Sequence, residues 1–158
     1  MAILIDSIKQ GFAVLSRARG VDMLALRLLL AWEFWEAGIG KLRGENWFAN
    51  IQADFPFPFS ALPAEWSWAM ATWTELVAAI LLVLGLATRF GSLALIILTV
   101  VAWASVHAGQ GYNICDNGWK LPLIYLVLFL PLLIGGAGRL SLDHILARRL
   151  FACRKDAA

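Results

Sequence analysis

Four long apolar runs divide the chain, and polar or turn-forming residues bound each of them. The runs cover residues 22–42, 65–86, 90–108 and 119–138. Each comes close to the roughly 20 residues that an α-helix needs to cross the hydrocarbon layer of a membrane. The stretches between them contain prolines, glycines and asparagines, which favour turns and loops. The pattern therefore predicts a domain of four transmembrane helices within residues 22–140.

Two shorter amphipathic segments flank this domain. Residues 1–21 and residues 141–158 each place apolar side chains at helical spacing, with basic side chains elsewhere on the same helix. A helix with one apolar and one basic face typically lies on a membrane surface. For the N-terminal segment, a short cytosolic helix packed on its own domain is an equal alternative. The predicted fold class is all-α: an integral membrane four-helix bundle with amphipathic surface helices at both termini.

The composition agrees with lipid as the main solvent. Of the 158 residues, 61% are hydrophobic and 15% are charged, whereas a soluble domain has roughly 45–50% apolar residues. The mean hydropathy is +0.74. Eight tryptophans supply a residue type that is enriched at membrane–water interfaces. We interpret the basic tail as a signal that sets the orientation and contacts lipid head groups. No nucleic-acid partner is predicted.

The distribution of lysine and arginine predicts the orientation. Basic residues concentrate in the N-terminal segment, in the turn at Arg89 and in the C-terminal tail. The opposite side has only Arg43 and, at helix ends, Lys41 and Lys120. Because cytoplasmic loops carry the excess of Lys and Arg, both termini are predicted to be cytoplasmic. Arg27 then lies near the inner surface, where we expect it to act as an anchor.

Several charged side chains interrupt the apolar runs. A charge in the hydrocarbon layer costs a few kcal/mol at least, so such residues normally face a protein interior or a water-filled cavity. We expect a polar pocket in the outward-facing half of the bundle. The alternative is a set of interhelical ion pairs or protonated carboxyls with no ligand. The candidate ligand-binding residues are Glu33, Trp35, Glu36, Lys41, Trp73, Glu75 and His107.

The sequence assigns no catalytic residue and no metal site. His107, Cys115 and Asp116 are residue types that bind metals, but their spacing matches no strong site and no second histidine or cysteine is near. The chain contains no Walker loop, dinucleotide fingerprint, zinc signature or nucleophile elbow.

An ordered set of motifs resembles the DoxX family of small four-helix bacterial inner-membrane proteins, over about residues 22–145. The positions that match its motifs are Glu36, Lys41, Glu75, Arg89 and Asp143. A salt bridge or cap is the expected role of the last two. The motifs are Arg27-Leu-Leu-Leu-Ala with Glu36-Ala-Gly-Ile-Gly-Lys41-Leu42, Trp73-Thr-Glu75 before Leu84-Gly-Leu-Ala-Thr-Arg89, an apolar run ending at His107, and Gly136-Ala-Gly-Arg139-Leu-Ser-Leu-Asp143.

The resemblance implies a role beside a membrane redox system. The family is named for a subunit associated with a thiosulfate:quinone oxidoreductase. We therefore expect a multi-pass accessory subunit in the bacterial inner membrane that binds a quinone or another small polar ligand. Its expected partners are the lipid bilayer and a redox protein, and a homo-oligomer is left open. The alternatives are a component of a small-molecule or metal transporter and a membrane scaffold without a ligand.

Overall fold

The computed structural model describes residues 20–155, with side chains described through residue 149. The surface helix expected over residues 1–21 therefore lies almost wholly outside the described residues. The described chain contains five α-helices and no β-strand, which confirms the all-α prediction. The helices are α1 (Val21–Arg43), α2 (Ala64–Leu84), α3 (Thr88–Ala102), α4 (Lys120–Gly135) and α5 (Leu142–Lys155).

Two of these helices are long and apolar enough to cross a membrane. They are α2 and the continuous helix Thr88–His107, in which residues Trp103–His107 extend α3 with π-helical turns. The helix α4 is apolar but shorter, at 16 residues. The 23 residues of α1 include charged side chains along its length.

The helices α1 to α4 pack around one apolar core. The most extensive contact joins α1 to α2, and further contacts join α3 to α4, α2 to α3 and α1 to α4. Fully buried side chains from all four helices fill the core, among them Leu30, Leu82, Leu95 and Phe129. Many apolar side chains also remain exposed on the outer faces of these helices. An exposed apolar surface of this extent fits contact with lipid.

The turn between α2 and α3 is bound to the start of α5. Gly85 has φ +64°, a conformation that favours glycine. The carboxylate of Asp143 accepts the backbone N–H groups of Ala87 at 2.8 Å and Thr88 at 3.0 Å. The N–H of Asp143 donates to the Gly85 carbonyl at 2.9 Å. Asp143 is therefore a cap for α3, one of its two predicted roles.

Arg27 is not a surface anchor. Its side chain is 1% exposed, and its guanidinium donates to the backbone carbonyls of Leu82, at 3.3 Å, and Leu140. Leu82 lies in the last turn of α2, where its carbonyl also accepts the N–H of the capping residue Gly85 at 3.2 Å. Arg27 therefore finds acceptors inside the protein and links α1 to the end of α2.

The loop between α1 and α2 folds back over α2. It contains three short 3₁₀ turns, at Phe48–Asn50, Gln52–Asp54 and Phe59–Ala61. Phe48 and Phe55 are buried, with ring centroids 5.1 Å apart, and Phe48 also packs edge-on against Trp68 of α2. These aromatic contacts hold the loop against the helical domain.

Candidate ligand-binding site

A cavity of about 440 Å³ lies between α2 and α3, beside the end of α1 and the α1–α2 loop. Its walls are mainly apolar, and the loop contributes the aromatic rings of Trp47, Phe48, Phe55 and Phe59. The volume falls within the roughly 300–1,000 Å³ of small-molecule sites, which combine apolar walls with a few polar groups.

A buried ion pair forms the most polar part of the cavity wall. Lys41 Nζ donates to both carboxylate oxygens of Glu75, at 2.7 and 2.8 Å. Glu75 is 2% exposed and Lys41 17%. Lys41 belongs to the last turn of α1 and Glu75 to the middle of α2, so the pair also joins these two helices. A buried carboxylate is tolerated when a hydrogen-bonded cation compensates its charge, as it does here.

Two further polar groups face the same cavity. The hydroxyl of Ser67 is buried and has no hydrogen-bond partner among the described residues. His107 Nδ1 lies 2.6 Å from the backbone oxygen of Asn117. A carbonyl oxygen only accepts, so Nδ1 carries a proton and donates to it. The cavity thus offers an unused hydrogen-bond donor and an unused acceptor, both in the hydroxyl of Ser67.

The structure brings three of the predicted site residues together: Lys41, Glu75 and His107 all line the cavity. Glu36 does not join them and is exposed. Lys41 is five positions after Glu36 in α1, which places their side chains about 140° apart around the helix. The expected convergence of Glu36 with Glu75 is therefore wrong, because Lys41 faces α2 whereas Glu36 points away from the cavity.

The other candidates also lie outside the cavity. Glu33 accepts a hydrogen bond of 2.6 Å from the hydroxyl of Tyr125 in α4. The indole side chains of Trp35 and Trp73 are 42% and 59% exposed and line no part of the cavity. The polar set predicted as one pocket therefore divides into a cavity between α2 and α3 and a separate contact between α1 and α4.

Sequence reasoning missed several residues of the cavity, most notably Ser67. A signal was present in α2, where Ser67, Ala71 and Thr74 recur at helical spacing and so share one face beside Glu75. The π-helical turns that end at His107 had no such signal. Turns of this kind often occur at functional sites.

The cysteine and histidine side chains provide no metal centre in the described part of the chain. No three His, Cys, Asp or Glu side chains between residues 20 and 149 lie close enough together to hold a metal ion. Cys115 is a free, exposed thiol in the loop before α4.

The fold and the cavity define a helical protein with membrane-compatible helices and a concave, largely apolar site. The chain belongs to the DoxX family: the DoxX family model matches residues 23–108, which include α2, α3 and all of α1 except its first two residues. The resemblance noted in the sequence is thereby confirmed. Proteins of this family are membrane-associated.

Two relatives come from Haemophilus influenzae, and both are described as uncharacterized proteins. One is 54% identical over 129 residues, which are 82% of this chain and 85% of the relative. The other is 40% identical over 73 residues, or 44% of this chain and 54% of the relative. No solved structure matches the chain.

Proposed function

We propose that the protein is a multi-pass, four-helix protein of the bacterial inner membrane that binds a quinone or another small polar ligand between α2 and α3. It serves there as an accessory subunit of a membrane redox system. The observation that carries the binding proposal is the buried Lys41–Glu75 pair in the wall of an apolar cavity. The redox role rests on the family resemblance.

The packing of the helices supports the proposed insertion of all four. The helices α2 and α3 are membrane-compatible by themselves, and α1 and α4 share their core. Several charges of α1 are also satisfied by the protein: Arg27 by backbone carbonyls, Lys41 by Glu75, and Glu33 by Tyr125. The distribution of Lys and Arg favours cytoplasmic termini, so the cavity lies in the outward-facing half.

The polar groups of the cavity match the needs of a quinone head group. A quinone carbonyl requires a donor, which the hydroxyl of Ser67 or the third N–H of Lys41 supplies. The hydroquinone also requires an acceptor, which the hydroxyl oxygen of Ser67 supplies, or Nε2 of His107 when the imidazole is neutral. The aromatic rings of Phe48 and Phe55 provide apolar area for a flat ring.

The cavity also has a route for an apolar tail. Met70 of α2 and Ile97 of α3 both line it, and they are 47% and 48% exposed on the outer surface of the protein. The cavity therefore reaches the side of the molecule that the proposed insertion exposes to lipid. A ligand with an isoprenoid or acyl tail can leave that tail in the bilayer while its head group stays with Lys41 and Glu75.

Quinone binding is tested by titrating the purified protein in detergent with a short-chain ubiquinone and following tryptophan fluorescence. We expect Ser67→Ala to weaken binding by about tenfold at most, the value of one hydrogen bond. Glu75→Gln is expected to weaken it further, because it also releases Lys41. Glu36→Gln is the matched control, since it removes a carboxylate of the same helical domain outside the cavity.

Two outcomes would contradict quinone binding: unchanged affinity in Ser67→Ala and Glu75→Gln, or an equal loss in Glu36→Gln. Circular dichroism and thermal unfolding of each variant show whether it is folded. A scaffold role is the second candidate, since the Lys41–Glu75 pair joins α1 to α2. Unfolding of Glu75→Gln, together with no quinone binding by the unchanged protein, would favour it.

A further inference from the structure

A second concave site lies at the opposite end of the helical domain. It is a groove of about 680 Å³ where the α2–α3 turn meets the segment between α4 and α5. Three basic side chains line it: Arg89 at the start of α3, Arg139 before α5, and His144 in the first turn of α5. We call these three residues and the space between them the basic groove.

The acidic group in this groove is already engaged. Asp143 is the one carboxylate among the described lining residues, and its two oxygens accept the N–H groups of Ala87 and Thr88. Arg89 Nη2 donates to the carbonyl of Ile134 at 3.0 Å, which fixes its guanidinium at the groove. Arg139 has no hydrogen-bond or ionic partner within residues 20–149. The groove therefore presents positive charge and unused N–H donors.

A buried hydroxyl adds a further polar contact. Thr88 is 0% exposed, lines the groove, and its Oγ1 has no hydrogen-bond partner in the described chain. Buried polar atoms normally have such a partner. An anion with several oxygen acceptors would provide one for Thr88 and for the two guanidinium groups together.

The rim of the basic groove is strongly apolar. Phe90, which follows Arg89, is 71% exposed, and Ile134, whose carbonyl binds Arg89, is 74% exposed. Leu140, next to Arg139, is 53% exposed. A small soluble anion would gain nothing from these side chains. A ligand with an anionic head and apolar chains would contact both the groove and its rim.

We propose that the basic groove binds the phosphate head group of an anionic glycerophospholipid, with its acyl chains along Phe90 and Ile134. Guanidinium groups bind phosphate oxygens in a bidentate geometry, and basic pockets at the membrane face of helical proteins are typical lipid sites. The proposed orientation places this site in the cytoplasmic leaflet. The lipid site itself is independent of any ligand between α2 and α3.

The test is native mass spectrometry of the intact protein in detergent, titrated separately with dioleoylphosphatidylglycerol and dioleoylphosphatidylcholine. The unchanged protein is expected to retain the anionic lipid preferentially. Arg139→Gln should lower that retention about fivefold, the effect of one basic residue near an anionic surface. Arg149→Gln is the matched control: it removes the same charge from α5 but lies outside the groove, and it should retain the lipid.

Equal retention of the two lipids would overturn the proposal, and so would an equal loss in Arg139→Gln and Arg149→Gln. The source of the phosphate is tested by thermal unfolding with added inorganic phosphate. Stabilisation by inorganic phosphate equal to that by the anionic lipid would mean that the groove binds a soluble anion, and it would contradict the lipid assignment.

Discussion

Lys41 and Glu75 depend on each other for their place in the protein. Both oxygens of the nearly inaccessible Glu75 carboxylate accept from the same ammonium group. Removing one partner would leave the other charge without compensation in an apolar surrounding. The pair therefore both shapes the cavity wall and holds α1 against α2.

We predict that Lys41→Met destabilises the protein by ~3–5 kcal/mol, the usual cost of breaking a buried ion pair at one partner. The double variant Lys41→Met/Glu75→Met should recover much of this loss, since no buried charge remains. The coupling is measured by unfolding the unchanged protein, Lys41→Met, Glu75→Met and the double variant in a denaturing detergent series. Additive effects of the two single substitutions would contradict it.

The sequence pointed to Lys41, Glu75 and His107 because each interrupts or ends an apolar run. The same signal pointed to Glu36, which lies outside the cavity. A charge within an apolar helix shows that a polar partner is needed but not which neighbouring helix supplies it. That information comes from the packing of α1 between α2 and α4, which the sequence pattern does not contain.

At the scale of the helices, the contact between α1 and α2 depends on a glycine. A Cβ atom at Gly38 would lie 2.8 Å from Cδ2 and 2.9 Å from Cγ of Leu76, and 3.2 Å from Cβ of Glu75. The two helices can approach this closely only because the side chain is absent. The close contact at Gly38 lies one turn before Lys41. It therefore sets the distance between α1 and α2 at which the ion pair forms.

We therefore predict that Gly38→Ala destabilises the protein by ~1–3 kcal/mol, the usual cost of overpacking. Gly40→Ala, in the same helix, is the control. A Cβ there meets nothing within 4 Å, and alanine is the better helix former by ~1 kcal/mol. Thermal unfolding of both variants checks this. Equal stability of the two variants would exclude a close helix contact at Gly38.

The positions of the helices were largely predictable, whereas the α1–α2 loop was not. The runs 22–42, 65–86 and 119–138 lie within three residues of the ends of α1, α2 and α4, and the run 90–108 does so for α3 only when the π-helical turns to His107 are included. The loop instead folds through contacts between distant residues, such as Phe48 with Phe55 and Trp68. Such contacts have no periodic signature in the sequence. The contribution of the α1–α2 loop to the cavity wall is therefore visible only in the structure.

At the scale of the whole molecule, the two ends differ in chemistry. The cavity with Lys41 and Glu75 lies toward the end of α1 and the start of α2, and the basic groove lies at the α2–α3 turn. The proposed orientation assigns the first to the outer half of the membrane and the second to the cytoplasmic side. The chain has two cysteines, Cys115 in the loop before α4 and Cys153 near the end of α5, and their accessibility to a thiol reagent tests the orientation.

We predict that a membrane-impermeant maleimide labels Cys115 in intact spheroplasts and labels Cys153 only after permeabilisation. Single-cysteine variants, Cys153→Ser and Cys115→Ser, separate the two signals. Labelling of Cys153 but not Cys115 in intact spheroplasts would contradict the proposed orientation. It would show that the protein is inserted the other way round, with the basic groove outside.

If the cavity between α2 and α3 holds a small ligand, a large side chain that fills the cavity should displace that ligand. Ala71→Trp places a large side chain on the cavity wall, whereas Ala37→Trp adds the same group at an exposed position of α1. Each protein is purified from native membranes, and its bound small molecules are identified by mass spectrometry. We expect the unchanged protein and Ala37→Trp to carry the same molecule, and folded Ala71→Trp to lack it. Retention of that molecule by Ala71→Trp, or no bound molecule in the unchanged protein, would contradict ligand binding in this cavity.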